Sequence, residues 1–281
     1  VVITKHNGGF YSVDDNGRGV PLAYNNKMQK YNYELVFMTL HAGAKYSVEE
    51  DGTFDFPKGL HGAGASSCAF TSEEFEAVSN RDGEEYHLKL HEGEFVDFTA
   101  VKSDKPTGTY VKWKPDLKVF KEVNIPFEWI KEFAKEQAVV NKKTKVIAIN
   151  EETEETFEFY YENGIEDYLL EVSSEKNLTT PQYYEIDTKG RDREDLPEYR
   201  TRFQVAFEFN NEINMLSSYH NSSYLSEGGS PVDALKSAFA HAIHNYAIDN
   251  NLYNKKEKRI TWDDISDSLL IITNTYSMQT S

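Results

Sequence analysis

Asp15-Asn16-Gly17-Arg18-Gly19-Val20-Pro21 and, about forty residues on, Gly59-Leu60-His61-Gly62-Ala63-Gly64-Ala65 are the two stretches around which the rest of the chain is read. In the first, a carboxylate stands on a tight turn at the end of a strand. In the second, glycines and small residues open a helix, where backbone N–H groups lack intrahelical acceptors and the helix dipole favours negative charge. One stretch offers an acceptor to a base and the other offers donors to its phosphates, so together they describe a nucleotide pocket. A glycine turn after a strand also occurs as a plain hairpin, and glycine at a strand-to-helix junction also serves close packing. The order and content of the neighbouring segments decide between these readings.

Those segments alternate between strand and helix patterns. Val1 to Val13 reads as two strands joined at Asn7-Gly8-Gly9. Residues 27–40 read as a helix with Leu35, Val36 and Met38 on its apolar side, and 46–58 as a polar loop placed to close over a ligand. Ala65 to Phe70 suits a helix packed under a sheet. Phe75–Ser79, Tyr86–Leu90, Phe95–Val101 and Thr109–Trp113 alternate as strands, and 126–140 returns to helical spacing behind Pro126. After the polar run Ser173 to Pro181, strands at Tyr183–Ile186 and Thr201–Asn210 lead to a helix at 231–250 and a strand at Leu269–Thr273. That last part has a β-α-β arrangement with a long crossover helix.

Composition restricts the function class. The 281 residues suffice for two ordinary domains, and aromatic residues at 14% supply bulky packing units. The single cysteine, Cys68, has no internal disulfide partner and reads as a packing residue. No apolar run approaches the roughly eighteen residues of a membrane span, and the expected location is the reducing cytoplasm. With 47 acidic against 30 basic residues and a net charge of −17, the chain as a whole is repelled by the phosphates of nucleic acid. Lys255-Lys256-Glu257-Lys258-Arg259 reads as a solvated loop, and Asn150-Glu151-Glu152-Thr153-Glu154-Glu155 as a solvated turn. Zinc-ligand spacings, a Gly-x-Ser-x-Gly elbow and a Walker lysine motif do not occur.

With Thr107-Gly108-Thr109 on a third segment, the two opening motifs resemble the adenine, phosphate and threonine motifs of the GHKL ATPases. Leu40-His41-Ala42-Gly43-Ala44-Lys45-Tyr46, standing before the second motif, narrows the resemblance to the B subunits of bacterial type IIA DNA topoisomerases, gyrase and topoisomerase IV. Tyr219-His220-Asn221, Glu227-Gly228-Gly229-Ser230 and Trp262-Asp263-Asp264-Ile265 resemble their next domain. The resemblance implies an α+β chain of two domains. A GHKL (Bergerat) α/β-sandwich ATP-binding domain covers 1–170, and a transducer domain of ribosomal-protein-S5-like β-α-β type covers 171–281. It implies ATP and Mg2+ as cofactors, and as partners the topoisomerase A subunit, a second copy in an ATP-dependent dimer, and DNA through the full-length complex. The activity implied is ATP-driven closure of a dimer gate for strand passage. Alternatives are an ATP-driven clamp of the MutL or heat-shock chaperone type, and a non-enzymatic module whose glycines are only turns.

The resemblance also carries residue roles. Asp15 matches the carboxylate that accepts from the adenine amine, while Gly17 and Gly19 permit close approach to the base. Pro21 and Arg18 match the outer wall, where Arg18 reads equally as a surface ion-pair former. Thr109 matches the threonine that supports the base through water. Gly59, Leu60, His61, Gly62, Ala63 and Gly64 match the phosphate cradle, and Lys45 the lid lysine that neutralises the outer phosphates. The chain departs from the family at Phe54, where a tyrosine is usual, and at Lys58, where glycine is usual. The catalytic glutamate and the Mg2+-binding asparagine are expected on a helix before Val1, so the chain reads as a piece of something longer. Met278-Gln279-Thr280-Ser281 imitates the Gln-Thr-Lys coupling loop with serine for lysine, and spacing sets the true loop beyond Ser281.

Overall fold

The computed structural model describes residues 1–40, 63–191, 193–195 and 198–277. They form two compact units that do not divide at a single point in the chain. The first holds 1–40, 63–138 and Thr144–Tyr160, and the second holds Val139–Lys143 and the chain from Tyr161 onward.

In the first unit the strands are β1 (Val2–Lys5), β2 (Tyr11–Asp15), the short β3 (Tyr24–Asn25) and β4 (Lys30–Tyr31), β5 (Ser72–Arg81), β6 (Glu84–His91), β7 (Glu94–Lys102), β8 (Gly108–Pro115), β9 (Val146–Asn150) and β10 (Glu155–Phe159). The helices are α1 (Asn32–Phe37), α2 (Gly64–Phe70) and α3 (Phe127–Val140), whose last two residues belong to the second unit. Eight strands make one sheet in the order β10-β9-β1-β2-β8-β5-β6-β7. β1 and β9 pair in parallel, and its other described pairs are antiparallel. Alternation along β5 turns Phe75, Ala77 and Ser79 inward and leaves Glu74 exposed on the other face. The β5–β6 turn is Asp82-Gly83, both at positive φ, the geometry that matches the twist of a two-residue hairpin. Phe37 and Ala69 pack from α1 and α2 onto Phe75, Ala77, Leu88 and Leu90, with the Phe37 and Phe75 rings 5.1 Å apart. Cys68 is partly buried against this cluster, and burial pushes its thiol up to about 11, which leaves it unreactive at neutral pH.

Two local readings change. The helix expected over 27–40 occupies only Asn32–Phe37, because Asn25 Oδ1 accepts from the N–H groups of Lys27 and Met28 (3.0 and 3.1 Å) and folds 24–31 into the β3–β4 hairpin. The hairpin of β9 and β10 was not apparent from the sequence, although the acidic run between them is its exposed turn.

The second unit contains α4 (Ile165–Val172), β11 (Gln182–Gly190), β12 (Tyr199–Phe209), β13 (Met215–His220), β14 (Ser223–Tyr224), α5 (Ser230–Asp249), α6 (Trp262–Ser266) and β15 (Leu269–Ser277). Its five-stranded sheet runs β11-β12-β15-β13-β14. β13 and β15 are parallel and joined through α5, so the crossover helix is present but starts from β13, a strand not read in the sequence, while the expected strand over Thr201–Asn210 pairs antiparallel with β15. Leu235, Phe239 and Ile243 of α5 pack on Val205, Phe207, Leu269 and Ile271. The opposite face is also buried and is mixed, carrying Gln204, Glu208 and Asn274 among Ala206, Leu270 and Ile272.

Candidate nucleotide site

Three adjacent strands set the site. Asp15 on β2 stands opposite Thr109 on β8, and Thr109 stands opposite Ser79 on β5. Directly opposed residues share a face, so these three side chains form a row across the sheet. Two residues further along the same strands and on the same face lie Val13, Val111 and Ala77, the last two within the cluster that α1 and α2 cover. Asp15 is therefore directed to the helix-bearing side, the side on which Gly64 opens α2. Asp14 is exposed on the other face, as alternation requires.

The glycine turn after β2 is held from several sides. Asp15 Oδ1 accepts from the Gly17 N–H at 2.7 Å, and a Cβ at Gly17 would lie 2.8 Å from that oxygen. Gly19 has φ +77°, and a Cβ there would meet the Asn80 carbonyl at 2.4 Å. Arg81 Nη1 donates to the Gly19 carbonyl at 3.1 Å. Val20 donates its N–H to Thr109 Oγ1 at 3.1 Å and accepts from Ser79 Oγ at 2.7 Å. Leu22, fully buried, anchors the far end of the turn beyond Pro21. Thr109 accepts in this contact, so its own hydroxyl proton remains for another acceptor. Asp15 Oδ2 has no hydrogen-bond partner among the described residues. Arg18 is exposed.

At the other end only the last three residues of the glycine motif, Ala63, Gly64 and Ala65, are described. Ala63 precedes α2, its carbonyl accepting from Ser67 N–H at 2.8 Å and Ser66 Oγ at 3.1 Å, and Gly64 is exposed at the first helical position. Gly59, Leu60, His61, Gly62 and Lys45 lie outside the described residues, as do Phe54, Lys58 and Gln279. No group of three His, Cys, Asp or Glu side chains suited to a metal occurs among the described residues.

Ser79 and Arg81 were not singled out in the sequence. The available signal was a small polar residue continuing the inward series Phe75, Ala77, Ser79. It has no meaning until the register brings Ser79 under Val20.

A sequence-family profile described as DNA gyrase B matches residues 164–280. The DNA gyrase B subunit of Spiroplasma citri is 30% identical, the alignment covering 93% of this chain and 40% of the relative. The DNA gyrase B subunit of Metamycoplasma hominis is 29% identical over 92% of this chain and 40% of its own length. The DNA topoisomerase 4 B subunit of Bacillus subtilis is 29% identical over 97% and 40%. The chain thus spans about two fifths of the length of these relatives. Among solved structures, the 43K ATPase domain of Thermus thermophilus gyrase B superposes with a TM-score of 0.70 at 22% identity, covering 98% of this chain and 69% of that one. The topoisomerase IV ATP-binding domain of Francisella tularensis superposes with a TM-score of 0.73 at 24% identity, covering 98% and 70%.

Proposed function

We propose that this chain, a GHKL ATPase and transducer region of the type IIA topoisomerase B-subunit family, binds ATP with Asp15 reading the adenine and serves as the nucleotide-driven part of a DNA strand-passage enzyme. The observation that carries the reading is Oδ2 of Asp15, which has no partner among the described residues, on the helix-bearing side of the sheet beside a glycine turn fixed by Thr109, Ser79 and Arg81. An ionised carboxylate only accepts, so it selects the adenine amine over the carbonyl that guanine presents there. Thr109 supplies a proton for a water or a ring nitrogen beside it. Gly17 and Gly19 leave room for the base, with Pro21 and Arg18 assigned to its outer wall.

The phosphates are assigned to Gly59, Leu60, His61, Gly62, Ala63 and Gly64, with Lys45 neutralising the outer charge. ATP supplies the phosphoanhydride whose cleavage drives the cycle. Mg2+, as the companion of ATP, is assigned chiefly to the phosphate oxygens, the hard ligands it prefers. Nucleotide binding is assigned to the part of the chain up to about residue 170 and transduction to 171–281. The proposed partners are a topoisomerase A subunit, a second copy of this chain when ATP is bound, and DNA through the complete enzyme in the cytoplasm. Similarity to the gyrase B profile over 164–280 supports this reading over a MutL or chaperone clamp.

Calorimetric titration with a non-hydrolysable ATP analogue and with its guanine counterpart tests the reading. The wild type is expected to bind the adenine form alone. Asp15→Asn exchanges a charge-assisted bond for an amide and is expected to weaken binding by roughly 1.5–3 kcal/mol, or about 10–150-fold. Equal binding of the two nucleotides, or unchanged affinity in the variant, overturns it.

A further inference from the structure

A cleft of about 740 Å³ lies within the second unit and shares no lining residue with the row of Asp15, Thr109 and Ser79. It opens where β13 and β15 end, His220 and Ser277 being their last residues, and where α5 begins at Ser230. The carboxyl ends of parallel strands are where α/β crossover units leave a crevice, because the chain departs there to reach the helix. Its volume is within the range of roughly 300–1,000 Å³ usual for small-molecule sites. Phe203, Leu235 and Phe239 supply apolar wall. Ala234 and Ala238, both exposed, keep the facing side of α5 open where larger side chains would fill the space.

One polar group in this wall has a fixed role. The Thr275 hydroxyl donates to the Tyr219 carbonyl at 3.1 Å, so its single proton is committed. The 2.8 Å contact between Thr275 Oγ1 and His220 Nδ1 therefore has the ring N–H as donor. That leaves Nε2 with a lone pair, and it has no partner among the described residues. Burial also draws the His220 ring below the ordinary imidazole range, which keeps it neutral at pH 7.

We propose that this cleft is a binding site for a small aromatic molecule carrying an O–H or N–H donor, with the ring against Phe203, Leu235 and Phe239 and the donor bonded to His220 Nε2. The site asks for a flat apolar body, because its lining is mostly apolar, and for a donor, because its free imidazole nitrogen can only accept.

Fluorine NMR on the 281-residue chain tests this with two probes of similar size, 4-fluorophenol and 4-fluoroanisole, which differ in the hydroxyl proton. 4-Fluorophenol is expected to show saturable binding at least tenfold tighter than 4-fluoroanisole. His220→Phe is expected to abolish that preference, and Ala238→Trp to abolish binding of both, with unchanged melting confirming that the variants fold. Absence of saturable 4-fluorophenol binding, equal affinity for the two probes, or a preference that survives in a folded His220→Phe variant overturns the proposal. The wild-type comparison is decisive even if a variant fails to fold.

Discussion

Val20 shows how a residue that does no chemistry can set the geometry of one that does. Its N–H is held by Thr109 and its carbonyl by Ser79, which is fully buried, so the turn that begins at Asp15 is clamped to the neighbouring strands. Replacing Ser79 with alanine leaves the Val20 carbonyl without that donor. A loss of about 1 kcal/mol in denaturant unfolding is expected. Nucleotide affinity should fall with it, because the turn that orients Asp15 loosens, although Ser79 is assigned no contact with the ligand. Unaltered stability together with unaltered affinity would remove Ser79 from the site. The sequence made Asp15 and Thr109 visible, since a carboxylate before a glycine turn and a threonine after Thr107-Gly108 have local signatures. Ser79 has none, because its role is a hydrogen bond to Val20, a turn residue 59 positions away in the chain.

Among strands and helices, the same contrast separates what was legible from what was not. β5 to β8 announce themselves by alternation and by their turn residues, and α5 by Pro231 at its start and an apolar stripe. α1 came out shorter than its apolar spacing implied because one side chain, Asn25, redirected the chain through a turn. The turn joining β9 and β10 has a further role that its acidic composition conceals. Glu151 on that turn accepts from His6 Nδ1 at 2.7 Å and from the Asn7 N–H at 3.3 Å, while His6 Nε2 meets Ser12 Oγ at 2.8 Å. The β9–β10 turn is thereby tied to the β1–β2 hairpin, 145 positions earlier in the chain. The His6 contact, followed by the Asn7 amide, holds the Glu151 carboxyl below its ordinary value despite some opposing desolvation. A carboxyl depressed by folding adds stability above its unfolded pKa, about 4.3, and loses that contribution as the pH falls through the lower folded value. The stability difference between wild type and Glu151→Gln is therefore expected to persist above about pH 5 and to shrink below about pH 4. Chemical denaturation across that range reads it, and a difference that grows on acidification contradicts the assignment.

Over the full chain, charge and backbone path each make a statement. A net charge of −17 opposes independent binding to duplex DNA, so a gel shift with this chain alone at about 150 mM salt is expected to show none. The chain path makes the stronger demand. Val139–Lys143 belongs to the second unit although the chain returns to the first at Thr144 before re-entering at Tyr161. Within the second unit, Asn274 Nδ2 and the Tyr276 hydroxyl both donate to the Val140 carbonyl, at 3.2 and 2.9 Å. Ser222 Oγ donates to Asn141 Oδ1 at 3.2 Å, and Lys142 Nζ bonds the Tyr183 hydroxyl and Glu185 at 2.6 and 2.9 Å. A fragment starting at Tyr161 loses all of these partners while keeping every strand of its sheet. A fragment starting at Val139 keeps them at the cost of carrying the β9–β10 hairpin without its neighbour β1. If these contacts together stabilise the unit by about 2–3 kcal/mol, the longer fragment melts higher by roughly 7–12 °C. Differential scanning calorimetry of the two fragments measures this directly. Equal melting temperatures would show that the short strap is incidental to the second unit, and that its fold is complete from Tyr161 alone.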